Sequence, residues 1–298
     1  MKKLQILLIF FLCSCSSMLM SQPPLPHFSN KADSLYAEGN IPDAIAEYRK
    51  MLIREPDNPK ILYNCACALS IDNSIIRQFD SCFKYLNRAV EIDTALNALL
   101  DPDFMAARKD PRWKTFEDHL VSMLNKKYHN PYADPEFAKA LWRLSANDQG
   151  FFNEIGISVR KLGMRSSVTS ALWKAKLMLS EENQKELENL LQRKGWPKIK
   201  DVGPEAVMAA YLVVQHADGR MQAKYLPEVK KSCEADEIPW ERYALLYDRM
   251  CVNENIPQRY GTHTRYNEKT GKEELYPLED ATKVNQWRKE TGLDPLPK

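Results

Sequence analysis

The sequence predicts a mainly α fold: helical hairpins in its N-terminal part, then a second α-helical domain that carries one small β-hairpin. Three observations predict it. Apolar residues recur at three- and four-residue spacing along most of the chain, the period of helices with one buried face. The 18 prolines outnumber the 10 glycines and sit at the ends of those runs, so they punctuate helices instead of interrupting them. One stretch near the C-terminus has the turn chemistry of a strand pair. At 298 residues the chain suits about two domains of roughly 150 residues. With 44% hydrophobic and 28% charged residues it can fill two modest cores, which excludes large-scale disorder.

Residues 1–15 read as a leader. Lys2 and Lys3 precede a nearly unbroken apolar run from Leu4 to Leu12, the form of a secretory signal. The run is too short for the roughly 20 residues that span a bilayer. Leu12-Cys13-Ser14-Cys15 resembles the lipobox of bacterial lipoproteins, which implies lipidation of Cys15 as the mature N-terminus and placement in the cell envelope. The anchor would hold the protein to the outer or inner membrane, facing the periplasm or the surface. Cleavage after Ser21 is the alternative and would give a soluble periplasmic protein.

Removal of residues 1–14 takes Lys2 and Lys3 from the 42 basic residues and leaves 40 against 40 acidic ones. A balanced chain without a basic stripe excludes a nucleic-acid binder. After Cys15 the cysteines are Cys65, Cys67, Cys82, Cys233 and Cys251, an odd number whose spacing matches neither a disulfide scaffold nor a zinc signature. Buried free thiols are the preferred reading, with a bridge from Cys65 or Cys67 to Cys82 as the alternative.

Residues 16–27 hold three prolines and no charge, which suits an extended tether. From residue 28 to 127 the spacing is repetitive. Ala32, Leu35, Gly39, Ala44, Tyr48, Met51 and Pro56 form one unit, and Leu62, Ala66, Leu69, Cys82, Leu86, Ala89 and Thr94 a second, with an expanded loop around Asp72 to Arg77. Small residues at these positions let two antiparallel helices approach closely. The pattern resembles a short tetratricopeptide-repeat array. Two units are fewer than the three that usually suffice, so Asp101-Pro102 and Asp110-Pro111 are expected to start covering helices, each with a capping carboxylate, that pack Phe104, Trp113, Phe116 and Leu120 on the last repeat. The array implies a partner surface, or a dock for the chain's own C-terminal domain.

Residues 128–135 form the linker and residues 136–298 the second helical domain. Phe137, Ala140, Leu141 and Leu144 predict its first helix, ended by Gly150. Residues 151–179 carry no clear pattern beyond a helical stretch over 171–179, and Ser180 is expected to cap the next helix, which Gly195 and Pro197 stop. Pro204 opens a helix that is apolar almost all round from Ala206 to Val214, hence buried. Gly219 is its expected terminator. A helix from about Gln222 to Ala235 and one opened by Pro239 follow. Thr262–Tyr266 and Glu274–Leu278 flank a loop containing Gly271 and predict the β-hairpin. Asp280 is expected to cap a last helix.

Asp148-Gln149, Gly195-Trp196-Pro197, Val202-Gly203, Gln215-His216-Ala217-Asp218, Gln222, Asp248-Arg249, Gln258-x-Tyr260-Gly261-Thr262 and Arg288-x-x-x-Gly292-Leu293 together resemble the bacterial domain of unknown function 6624 over about residues 136–295. His263 stands where that family usually has Gln, and Phe152 or Asn153 where it usually has Arg. The resemblance implies a fold and candidate site residues but carries no activity. The catalytic candidates are His216, Asp218, Asp148, Asp248 and His263, because a His beside an Asp is the minimum for a general base with an orienting acid. The ligand-binding candidates are Gln149, Gln215, Gln222, Arg249, Gln258 and Tyr260. No nucleophile elbow, zinc signature or phosphate loop is present, so no cofactor or metal is predicted. The same polar residues read equally well as internal hydrogen-bonding groups, and Trp196 and Trp287 as core. The expected function is therefore an envelope lipoprotein acting as a protein-binding or scaffold module with a polar pocket in its C-terminal domain. The alternative is an envelope hydrolase using His216 as base and Asp218 as its orienting acid.

Overall fold

The computed structural model describes residues 30–71, 79–267 and 270–297; the leader and tether over 1–27 and the expanded loop around 72–77 lie outside them. Asn30 accepts the Asp33 amide at 2.9 Å and starts α1 (Lys31–Ala37), which pairs with α2 (Ile41–Arg54). The second hairpin is α3 (Pro59–Ile71) and α4 (Phe79–Ile92). The small residues predicted to permit close approach are sealed between these helices: Ala32, Ala44, Ala66 and Cys82 are each 0% exposed. Cys82 also donates to the Ala66 carbonyl at 3.3 Å.

The covering segment comprises α5 (Asn97–Leu100), two 3₁₀ turns over Pro102–Met105 and Ala107–Lys109, and α6 (Arg112–Lys127). Asp101 accepts the Asp103 amide at 2.9 Å and Asp110 the Arg112 amide at 3.0 Å, so both Asp-Pro pairs do start turns. The first starts a 3₁₀ turn instead of an α-helix. Phe104, Trp113, Phe116 and Leu120 are buried, with Phe83 of α4 against Trp113 and Tyr63 of α3 edge-on to Phe104. Each such side chain contributes about 2–3 kcal/mol of burial.

The following part is built on α7 (Pro135–Gln149), capped by Asp134, with α8 (Phe152–Leu162), the 28-residue α9 (Ser167–Lys194), α10 (Ile199–Val202) and α11 (Pro204–Gln215). As its all-round apolar sequence requires, α11 is buried, packed on α7 and α9. Then come α12 (Gly219–Glu234), α13 (Trp240–Asn253), the antiparallel pair β1 (Thr264–Asn267) and β2 (Lys272–Leu275), and α14 (Val284–Glu290). The halves touch directly: Arg160 of α8 donates to the Ala37 carbonyl at 3.1 Å, and buried Lys139 of α7 bonds Asp118 of α6 at 2.6 Å.

Four local expectations change. Residues 152–162 form a helix entered through Phe151 at φ 69°. Ser180 lies inside α9 instead of starting a helix, because nothing before it breaks the turn. The chain leaves α11 at His216, and Asp218, extended at φ −68° and ψ 163°, caps α12, so Gly219 begins a helix instead of ending one. Asp280 caps the turn at Thr282, one turn ahead of α14. The hairpin stands, with Gly271 at φ 66° supplying the left-handed turn residue.

Cys65, Cys67, Cys82, Cys233 and Cys251 are free thiols. Burial pushes Cys65 and Cys233 up to about 11 and Cys82 to about 12, so they are poor nucleophiles. Among the described residues no helix is long and apolar enough to cross a membrane.

Gly203 gives a clean packing prediction. It sits at φ 80°, and a Cβ there would lie 2.6 Å from Tyr132 Cε1, whereas Gly163, at φ 85°, has nothing within 4 Å. Both Ala variants pay the left-handed strain of about 1–3 kcal/mol. Gly203→Ala is expected to lose about 1–3 kcal/mol more in urea unfolding, the cost of overpacking against Tyr132.

Candidate functional site

The buried helix α11 ends by delivering His216 to the last turn of α7. His216 Nδ1 lies 2.8 Å from Asp148 Oδ2, with the imidazole 27% exposed and the carboxylate only 2%. Gln149 donates to the same oxygen at 2.8 Å, and Lys176 of α9 bonds the Asp148 carbonyl. A carboxylate oxygen accepts, so Nδ1 of His216 is the donor in this pair and Nε2 is left as the ring's other nitrogen. This is a buried acid orienting a partly exposed base. The acid comes from α7; Asp218 instead accepts the Met221 amide at 2.8 Å as the cap of α12.

Asp248 of α13 organises a second cluster. It is fully buried and accepts the amides of Arg259 (2.8 Å), Tyr260 (3.0 Å) and Thr262 (3.0 Å) and the Thr262 hydroxyl (2.9 Å). Burial raises its carboxyl above the usual range, opposed by those donors. The Thr262 proton is thereby committed, so His263 Nδ1, 2.9 Å from Thr262 Oγ1, must donate to it. Burial, then the charge of Arg249, lowers His263 to about 4, and it is neutral near pH 7. Arg288 of α14 donates to the Tyr260 carbonyl at 2.7 Å and closes the loop from the other side.

Two cavities are lined by other residues. One of about 190 Å³ lies beneath Trp196 and Pro197, bounded by Asp134, Phe137, Lys194 and Asp201. The larger, about 260 Å³, opens between α1, α3 and the first 3₁₀ turn and is lined by Asp33, Tyr36, Tyr48, Tyr63, Asn64, Cys67, Asp101 and Asp103 with Ala37. Tyr48 donates to Asp33 and Tyr63 to Asp101, each at 2.7 Å, and Tyr36 donates to Asp103. Burial, then the charge of Asp101, pushes Asp103 up to about 7. Tyr36 and Tyr63 are held well above the usual phenol range by burial first. The ligand atoms of Cys67, Asp101 and Asp103 lie within 4.8 Å of one another, the only such group among the described residues that could hold a metal ion. Sequence reading assigned Asp101 a cap alone; the available signal was Asp33 with Tyr36, and Tyr63 with Cys67, at one-turn spacing on the first helix of each hairpin.

Residues 161–298 match the Family of unknown function (DUF6624). The match takes in His216, Asp218 and the Asp248 to His263 cluster but starts beyond Asp148 and Gln149, later than the motifs had suggested. No curated protein and no solved structure matches the chain. Within the matched residues Gln222 and Gln258 bind backbone. Gln222 donates to the carbonyls of Gln215 and Ala217, both at 3.0 Å, and accepts from Asn253 at 3.2 Å, tying the turn after α11 to α13. Gln258, fully buried, donates to the His263 and Tyr276 carbonyls and accepts the His263 amide. Gln215 is buried with its Oε1 3.1 Å from the Tyr211 hydroxyl. Tyr260 packs edge-on against Tyr247, and the guanidinium of half-buried Arg249 lends its charge to His263.

Proposed function

We propose that the protein is a partner-binding module of the bacterial cell envelope, anchored by lipid on Cys15, whose N-terminal helical hairpins receive a positively charged side chain of a partner protein. The observation that carries this reading is the cavity of about 260 Å³ bounded by three carboxylates and three phenols and by no basic residue. It is below the roughly 300–1,000 Å³ of small-molecule sites and suits one side chain. Asp101 and Asp103 attract an ammonium or guanidinium, and the tyrosine faces add cation–π walls. Glu154 of α8 contributes further negative charge at Asp103, so α8 would tune the site from its rim.

The test is calorimetric titration of short lysine-containing peptides against their norleucine analogues. Charge-assisted hydrogen bonds are worth about 1.5–3 kcal/mol, so Asp101→Asn is expected to weaken lysine peptides by roughly tenfold to a hundredfold, while norleucine peptides fail to bind. Equal binding of both series, or no change in the variant, rejects the reading.

The hydrolase reading keeps one supporting observation, the Asp148-oriented imidazole of His216. Its test is loss of envelope-substrate hydrolysis in His216→Gln; neither cavity described above is lined by His216.

A further inference from the structure

Over residues 167–183, α9 has its polarity inverted. Its buried face carries Thr169, Lys176 and Asn183. Thr169 bonds the Gly163 carbonyl, Lys176 the Asp148 carbonyl and Asn183 the Leu144 carbonyl. Met178, opposite that buried face, is exposed by 65%, Val168 and Leu177 on its two flanks by 49% and 60%, and Leu162 at the end of α8 by 57%. Of the nine large hydrophobic side chains that stand exposed among the described residues, these four fall within residues 162–178. Clustered exposed apolar side chains mark an interaction surface, whereas scattered ones do not.

Charge is segregated on the same segment. From Ile155 to Ser180 the chain has five basic residues and no acidic one, although the whole sequence is nearly balanced at 42 to 40. Arg160 is engaged with Ala37 and Lys176 is buried, which leaves Lys161, Arg165 and Lys174 exposed beside the apolar side chains. The patch stops abruptly where Glu181, Glu182 and Glu186 take over the outward face of α9.

We propose that this face of α8 and α9 seats on an anionic membrane surface. Leu162, Val168, Leu177 and Met178 enter the headgroup boundary, and Lys161, Arg165 and Lys174 meet lipid phosphates, the division of labour of an interfacial helix. A second copy is the less favourable occupant, because a two-fold contact through this patch would set its cations against themselves. A protein partner would need a pocket for its anchoring side chains, and the two cavities described above open elsewhere. The seat works with or without lipid on Cys15, and its test leaves that anchor out.

The experiment uses the full chain with Cys13→Ser and Cys15→Ser and an environment-sensitive fluorophore on Val168→Cys; a second preparation carries it on Ile53→Cys, 82% exposed on α2. Vesicles of phosphatidylcholine with phosphatidylglycerol are expected to blue-shift emission at 168 and leave 53 unchanged. Lys161→Gln, Arg165→Gln and Lys174→Gln together should weaken that response about a hundredfold, at about fivefold per charge. Salt at roughly 0.5 M should suppress it, and Leu177→Ser with Met178→Ser should abolish it while circular dichroism stays unchanged. The proposal is overturned by an unshifted label at 168, by equal response to pure phosphatidylcholine, or by a lipid-free, concentration-dependent shift at 168, which would identify a second copy as the occupant.

Discussion

Asp248→Ala is expected to lower stability by about 3–5 kcal/mol, because several donors lose one shared buried acceptor. The carboxylate is fully buried and accepts three amides of the loop after α13 and one hydroxyl. Its removal leaves the Arg259, Tyr260 and Thr262 amides without an acceptor in a dry environment, at about 1–3 kcal/mol each before relaxation. Asp248→Asn restores one accepting oxygen but turns an NH₂ toward a donor, so it should recover only part of the loss. Urea unfolding measures both. Hydrogen exchange should localise the damage to residues 258–263, because Gln258 and Arg288 hold the same loop from its other sides. An Ala variant within about 1 kcal/mol of the parent would show that water replaces the carboxylate.

This assignment bears on why the site was only half legible. Elements whose cause is local were readable: Pro204 and the unbroken apolar run predict buried α11, the alanines and Cys82 predict the hairpins, and Gly271 predicts the strand turn. Helix α8 was not, since Ile155, Ile157 and Val159 alternate as a strand would while Gly156 and Ser158 weaken helix propensity. Its helix is enforced by packing against α9. Pairings made in three dimensions were equally invisible. His216 and Asp148 are 68 positions apart, so local spacing suggested the neighbouring Asp218, whose actual work is a cap. The cavity acids were hidden for the same reason, because a capping Asp101 and a cavity-lining Asp101 look identical in sequence. The inverted face of α9 was missed because periodicity reports where apolar residues lie, and not which side meets the core.

The His263 position makes the second large prediction, and here the sign follows from proton counting. The folded state holds His263 neutral, with its transition lowered from the ordinary 6.5 to about 4 by burial and then by Arg249. Between those values the unfolded chain binds a proton that the folded chain refuses. Stability is therefore fully present above about pH 6.5 and falls as pH drops toward 4, by up to about 3 kcal/mol for this one group. Protonation would place a second positive charge beside Arg249, and it cannot be relieved through Nδ1, which already donates to Thr262. His263→Gln removes the titration and can retain one donor toward Thr262. Its unfolding free energy should vary by about 3 kcal/mol less than the parent's between pH 6.5 and 4, while the two chains differ little near pH 7. A parent and variant with parallel pH profiles would mean that His263 charges without penalty, and that the Asp248–Thr262–His263 chain opens to water before it titrates.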